Sequence, residues 1–194
     1  MDIDKHLATR VRDLRKAQGL TLEALAERSG VSRSAISLIE REETSPTAAV
    51  LDKLANALRV SLSALFATED PEEFASPLAR AADHRVWTDP ESGYMRRHLS
   101  PATIGSPLEL VEVTFPAGKS VTFDTAGRSN VVHQQVWMLE GEMEITIGKK
   151  AWRLRPGDCL AMVPDQPLAF RNPTRKVARY AVAMATATSL PRRF

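Results

Sequence analysis

Two hydrophobic periods divide the chain. Over residues 7–66 apolar positions recur every three to four residues, as on one face of a helix; from about residue 84 they alternate every second residue, as on one face of a strand. In the first part Leu22, Leu25 and Ala26 share a helical face, Gly30 falls where that helix must stop, and Ile36 and Ile39 lie three apart on the next helix. Thr21 and Ser32 stand just before these two runs, each with a hydroxyl able to accept from an unpaired backbone N–H of the first turn. In the second part, β-favouring runs at 108–115, 131–139, 142–148, 151–155, 159–163, 168–172 and 177–184 are separated by glycine- and proline-bearing turns. That spacing predicts an antiparallel sandwich or barrel, with a hairpin about Glu140 and Gly141. Residues 67–83 are acidic at first, carry two prolines and have no sustained period, which predicts a linker with a short helical stretch near 77–83.

Two short helices joined by a tight turn over 22–40 are the arrangement that sets one helix into the major groove of DNA. Ala26 lets the helices approach, Gly30 makes the turn, and Val31, Ile36 and Ile39 anchor the second helix. Charge alone does not announce this. Residues 1–66 hold ten Lys or Arg against nine Asp or Glu, a net of +1, so a single copy has little of the phosphate-neutralising charge that drives nonspecific affinity, and a second copy beside it is expected.

Residues 7–66 resemble the DNA-binding domain of the XRE family, the helix-turn-helix class shared with the phage lambda and 434 repressors. All segments occur in family order: a first helix, the two-helix reader, the Ser45-Pro46-Thr47 turn and two closing helices. One departure is Arg59, where many relatives carry glycine after the fourth helix. The resemblance implies that Arg33, Ser34 and Ser37 reach base edges, arginine being suited to a bidentate bond with guanine, and that Ser32, as cap of their helix, belongs to the same surface. It assigns Thr21, Arg41, Ser45 and Thr47 to phosphates, contacts that position without reading sequence.

A second resemblance covers residues 105–187: Leu139-Glu-Gly-Glu142, Arg155-Pro-Gly-Asp158 and the run from Val163 to Asn172 are similar to a cupin domain. Together the two resemblances imply a two-domain α plus β chain with a lambda-repressor-like five-helix domain at 1–66, a linker at 67–83 and a cupin antiparallel β-barrel, or jelly roll, at 84–194. This is the plan of bacterial XRE-cupin transcription regulators, in which the barrel senses a small molecule or holds the dimer. Enzymatic cupins hold a metal on three histidines and a glutamate. Registered on Leu139-Glu-Gly-Glu142, this chain puts Arg128 and Asn130 near the first two ligand positions, Gln134 at the glutamate and Leu168 at the third histidine, so no metal and no cofactor are expected.

The other histidines, His6, His84, His98 and His133, form no ligand spacing, and His133 is one residue off the glutamate position, which turns it to the opposite face of a strand. Cys159, the single cysteine, excludes an internal disulfide and is expected as a small buried thiol. A non-enzyme is therefore expected. Period-two counting puts Asn130, Val132, Gln134, Val136 and Met138 on one inward face, with Leu160, Met162, Leu168 and Phe170 on another opposite it. If that interior is hollow, Asn130, Gln134, Val136, Met138, Met162, Leu168 and Phe170 bind a small, largely neutral or amphipathic effector; if it is filled, they are core. Arg96, Arg97 and Arg128 can meet a carboxylate at the mouth, although arginines there are usually solvated. The expected partners are a palindromic double-stranded operator, an effector and a second copy of the chain. With no apolar leader or membrane-length run, the expected location is the cytoplasm. Two alternatives stand beside this reading: a metal-dependent cupin enzyme, and a barrel that only dimerises or recruits protein partners.

Overall fold

The computed structural model describes residues 3–66, 77–101, 108–125 and 131–186. Among the described residues four helices, α1 (Ile3–Ala17), α2 (Leu22–Ser29), α3 (Arg33–Glu40) and α4 (Ala48–Ala57), precede ten strands. Thr21, Ser32 and Thr47 cap α2, α3 and α4, accepting from the N–H of Ala24 at 3.1 Å, Ala35 at 3.2 Å and Val50 at 3.4 Å. Gly30 closes α2 at φ +66°, a left-handed conformation that glycine adopts without a Cβ penalty. Leu7 and Val11 of α1, Leu25 of α2, Ile36 and Ile39 of α3, and Leu51 and Leu54 of α4 are buried together.

Two features of this bundle differ from the sequence reading. The fifth helix is a single 3-10 turn, Ser63–Leu65, which suffices to bury Leu65 and Phe66. Arg59, which replaces the family's glycine, takes a left-handed conformation at φ +55°, its N–H bonded to the Asn56 carbonyl at 3.0 Å while that of Val60 reaches Ala55 at 3.0 Å. The helix end is thus made in the glycine geometry by a residue that pays for its Cβ.

The strands are β1 (Val86–Thr88), β2 (Met95–His98), β3 (Leu108–Phe115), β4 (Ser120–Phe123), β5 (Val132–Glu140), β6 (Met143–Ile147), β7 (Lys150–Leu154), β8 (Cys159–Met162), β9 (Leu168–Arg171) and β10 (Ala178–Thr186). They form two antiparallel sheets, ordered β1-β2-β3-β10-β5-β8 and β4-β9-β6-β7. Val111, Val113, Val136, Met138, Tyr180 and Val182 of the first sheet and Ile145, Leu168 and Phe170 of the second are buried.

Three further expectations are corrected. Glu140 and Gly141 do not make a hairpin: β5 pairs with β10 and β8, and β6 with β7 and β9, so the chain passes there from one sheet to the other. Gly141 has φ +75°, and a Cβ on it would lie 2.8 Å from the Val177 carbonyl oxygen, so close approach to the start of β10 forces the crossing. Leu160 and Met162 do not oppose β5 but flank it in the same sheet, Met162 beside Gln134 and Leu160 beside Val136. Cys159 is exposed, because its position in β8 pairs with Trp137 on the outer face. The 3-10 turn Ala81–Asp83 falls within the stretch expected to be helical.

The helical and β parts share one apolar cluster. Phe66 lies between the rings of Trp87, at 5.8 Å, and His98, at 4.5 Å. Asp89, buried in the turn after β1, accepts from the Ala48 N–H at 2.8 Å, so a carboxylate from the sheet sits on the N-terminus of α4. Arg85 donates to the Phe66 carbonyl at 2.9 Å.

Candidate DNA-binding surface and interdomain cavity

Helix α3 buries Ile36, Ile39 and Glu40 and leaves its beginning in solvent, with Ser32, Arg33 and Ser34 exposed and Ser37 partly so. A bidentate ion pair fixes its end: Arg15 of α1 donates from Nε and Nη2 to the Glu40 carboxylate at 2.6 and 2.7 Å, and from Nη1 to the Leu20 carbonyl at 2.8 Å. Arg33 donates from Nε to Glu23 of α2, and both side chains are open to water. Backbone N–H donation at the start of α2 and the bond from Arg33 hold the Glu23 carboxyl below its ordinary range. Arg33 is thereby oriented at the leading end of the helix that would enter a groove.

The expected phosphate contacts fall into two groups. Thr21 is exposed as the cap of α2, and Arg41 is exposed beside Glu43 at 3.1 Å. Ser45 and Thr47 are half-buried and turned to internal tasks: Ser45 donates to Asp4 at 2.8 Å, and Thr47 caps α4.

Behind the reader, a small cavity opens where the helical part meets the sheets. Asp52, Ser61 and Leu62 wall it on the helical side. The β wall includes Gln134, Leu168 and Phe170 from the expected set, together with Tyr94, Arg96, Val113, Phe115, Tyr180 and Met184. Val136, Met138 and Met162 are packed in the core outside the wall, and Asn130, like Arg128, lies outside the described residues.

The wall is largely aromatic: Tyr94 stacks on Phe115 at 5.6 Å between centroids, and Phe170 on Tyr180 at 5.9 Å. Burial pushes the Tyr94 phenol up to about 12 and that of Tyr180 well above its ordinary value, so both stay protonated near neutrality. Arg96, 6% exposed, donates from Nη2 to the Ser63 hydroxyl at 2.7 Å, tying β2 to the closing turn of the helical bundle. Its guanidinium also lies 6.0 Å from the Phe66 ring, and burial lowers its pKa. His98, two residues on along the same face, is pushed well below the ordinary histidine value by burial and by the nearby cations Arg96 and Arg85.

The sequence shows Arg96 only as one of the mouth arginines, which are usually solvated. The alternation Tyr94, Arg96, His98 was the available signal, and it becomes informative once β2 is known to pair with β3 inside the larger sheet. His133 points outward on β5. Among the described residues no group of three His, Cys, Asp or Glu side chains has the arrangement of a metal site. No described helix is long and apolar enough to cross a membrane.

Comparison with known proteins agrees with this architecture. Residues 11–65 match the family described as helix-turn-helix, HTH_3. The HTH-type transcriptional regulator PuuR of Escherichia coli is 27% identical over 88% of this chain and 89% of its own length. SinR of Bacillus licheniformis, also an HTH-type transcriptional regulator, is 32% identical over 48% of this chain and 85% of its own length. The crystal structure of an HTH_3 family transcriptional regulator from Vibrio cholerae superposes with a TM-score of 0.75 at 28% identity, covering 98% of each chain. With the reader helices and their caps in place, and two antiparallel sheets behind them, the chain belongs to the XRE-type helix-turn-helix transcriptional regulators.

Proposed function

We propose that this regulator binds a roughly palindromic operator as a homodimer and that a small molecule in the barrel changes its hold on DNA. The observation that carries the reading is the shared wall of the cavity: Asp52, Ser61 and Leu62 of the DNA-binding part face the barrel's aromatic residues across the same space. An occupant there touches both parts at once, which is how a ligand acquires different affinities for DNA-competent and incompetent arrangements. Arg33, Ser34 and Ser37 read base edges in this scheme, and Thr21, Ser32 and Arg41 hold the adjoining backbone.

The outer face of the six-stranded sheet supports pairing of two copies. Register places Trp137 beside Ala181 and Cys159, and Leu110 beside Ala183, so an exposed indole stands among small and apolar side chains. Trp137 is 53% exposed and Leu110 39%. A two-fold contact through this face buries them on both partners.

Selection from a random duplex library tests the reading. The enriched sequence should contain two inverted half-sites whose centres lie about one helical turn apart, and Arg33→Ala should relax the preference at one position in each half. Light scattering should give a dimer that Trp137→Arg converts to monomer. A library with no enriched sequence, or a monomer that binds the selected site fully, would refute the scheme.

A further inference from the structure

Arg96 is the feature of the cavity that the regulatory reading leaves unexplained. A guanidinium withdrawn from water is costly unless opposing charge and hydrogen bonds replace its hydration. Here Nη2 has the Ser63 hydroxyl at 2.7 Å and the Met184 sulfur at 3.8 Å, both neutral, while Nε is buried with no hydrogen-bond partner. Among the described residues no carboxylate forms an ion pair with Arg96, and Glu109 attracts it only through space. The side chain forms part of the cavity wall, as do the rings of the two stacked aromatic pairs.

A buried cation of this kind at the edge of an apolar space has the form of an anion receptor. The planar fork suits the two oxygens of a carboxylate, and the surrounding rings suit an apolar body. Arg96 is the one cation among the described lining residues and Asp52 puts a carboxylate on the same wall, so the space suits at most one negative charge, while the Gln134 amide, also on the wall, offers a neutral donor and acceptor for a second polar group.

We propose that the cavity takes a small organic monocarboxylate, its head on the Arg96 guanidinium and its body among Tyr94, Phe115, Phe170 and Tyr180. This rests on the reading of the barrel as an effector domain and adds to it the chemical class of the effector and the residue that recognises it. Because Arg96 also holds Ser63, the same contact carries occupancy to the last turn of the DNA-binding domain.

The test is a ligand-observed NMR titration of the full chain with benzoate and with 4-methylpentanoate, each against its amide, a neutral molecule of nearly the same shape. Each acid should bind about ten-fold or more tightly than its amide, the scale of a hydrogen-bonded charge pair. Arg96→Met should abolish the preference, and Arg96→Lys should retain part of it. Acid and amide binding alike, neither acid binding up to about 20 mM, or a preference that survives Arg96→Met would each overturn the assignment. Should Arg96→Met fail to fold by circular dichroism, the acid-to-amide ratio of the unsubstituted chain decides alone. Operator binding of the same preparation separates the two proposals. Intact DNA binding without carboxylate preference sinks only this assignment, whereas carboxylate preference without DNA binding sinks the regulatory reading.

Discussion

Glu40→Gln tests what holds the reading helix in place. The Arg15 and Glu40 side chains are 11% and 7% exposed and meet through two short charge-assisted bonds, so the pair is largely desolvated. The substitution keeps the shape and one oxygen acceptor but turns an amide N–H₂ toward a guanidinium that has no acceptor to offer it. Breaking a buried pair from one side costs about 3–5 kcal/mol, and the bond from Arg15 to the Leu20 carbonyl survives, which puts the expected loss near the low end, about 3 kcal/mol. Urea unfolding of the full chain followed by circular dichroism at 222 nm measures it as a lowered midpoint at unchanged slope. The double substitution Arg15→Met with Glu40→Leu removes both charges and should recover at least half of the loss. A loss below about 1 kcal/mol for Glu40→Gln would refute the argument, because it would show the pair to be as solvated as an ordinary surface bridge.

Arg59→Gly should raise stability by about 1 kcal/mol in the same assay, since glycine takes the left-handed conformation at no steric cost; a loss would show that packing by the arginine outweighs backbone strain. Gly141→Ala should cost about 2 kcal/mol or more, because the added carbon meets backbone at 2.8 and 2.9 Å and the left-handed φ disfavours it as well; an unchanged midpoint would contradict the close packing of this crossing. His98 is held neutral in the folded chain, with its pKa below that of the unfolded chain. Its contribution is therefore complete above about pH 6.5 and is lost as pH falls from there toward the folded value, because the unfolded chain binds the proton first. His98→Phe, which keeps an aromatic ring against Phe66, should flatten the fall of the midpoint between about pH 7 and 5; an unaltered pH profile would count against burial as the cause.

Local chemistry determined much of this protein. The hydroxyls of Thr21, Ser32 and Thr47, the left-handed Gly30 and the helical spacing of Ile36 and Ile39 act within a few residues of themselves, so the reader helices and their turn were legible without tertiary information. Seven of the ten described strands were legible for the same reason, because side-chain alternation is a property of the strand itself, whereas β1, β2 and β4, three or four residues long, were too short to show it. Pairing was not, since whether Gly141 closes a hairpin or carries the chain to another sheet depends on Val177 and Ala178, residues far along the sequence. The helical domain of the sequence reading and its barrel turned out to share a core, through Phe66, Trp87 and His98, and a cavity whose walls come from both. Arg96 marks the limit most clearly. In sequence it is one of two adjacent arginines in a short polar run, and alternation, once that run is a strand, says only that the two face opposite ways. Which of them is buried was decided by the pairing of β2 with β3 and by the packing of Phe66 and Ser63 against it, contacts made across the fold rather than along the chain.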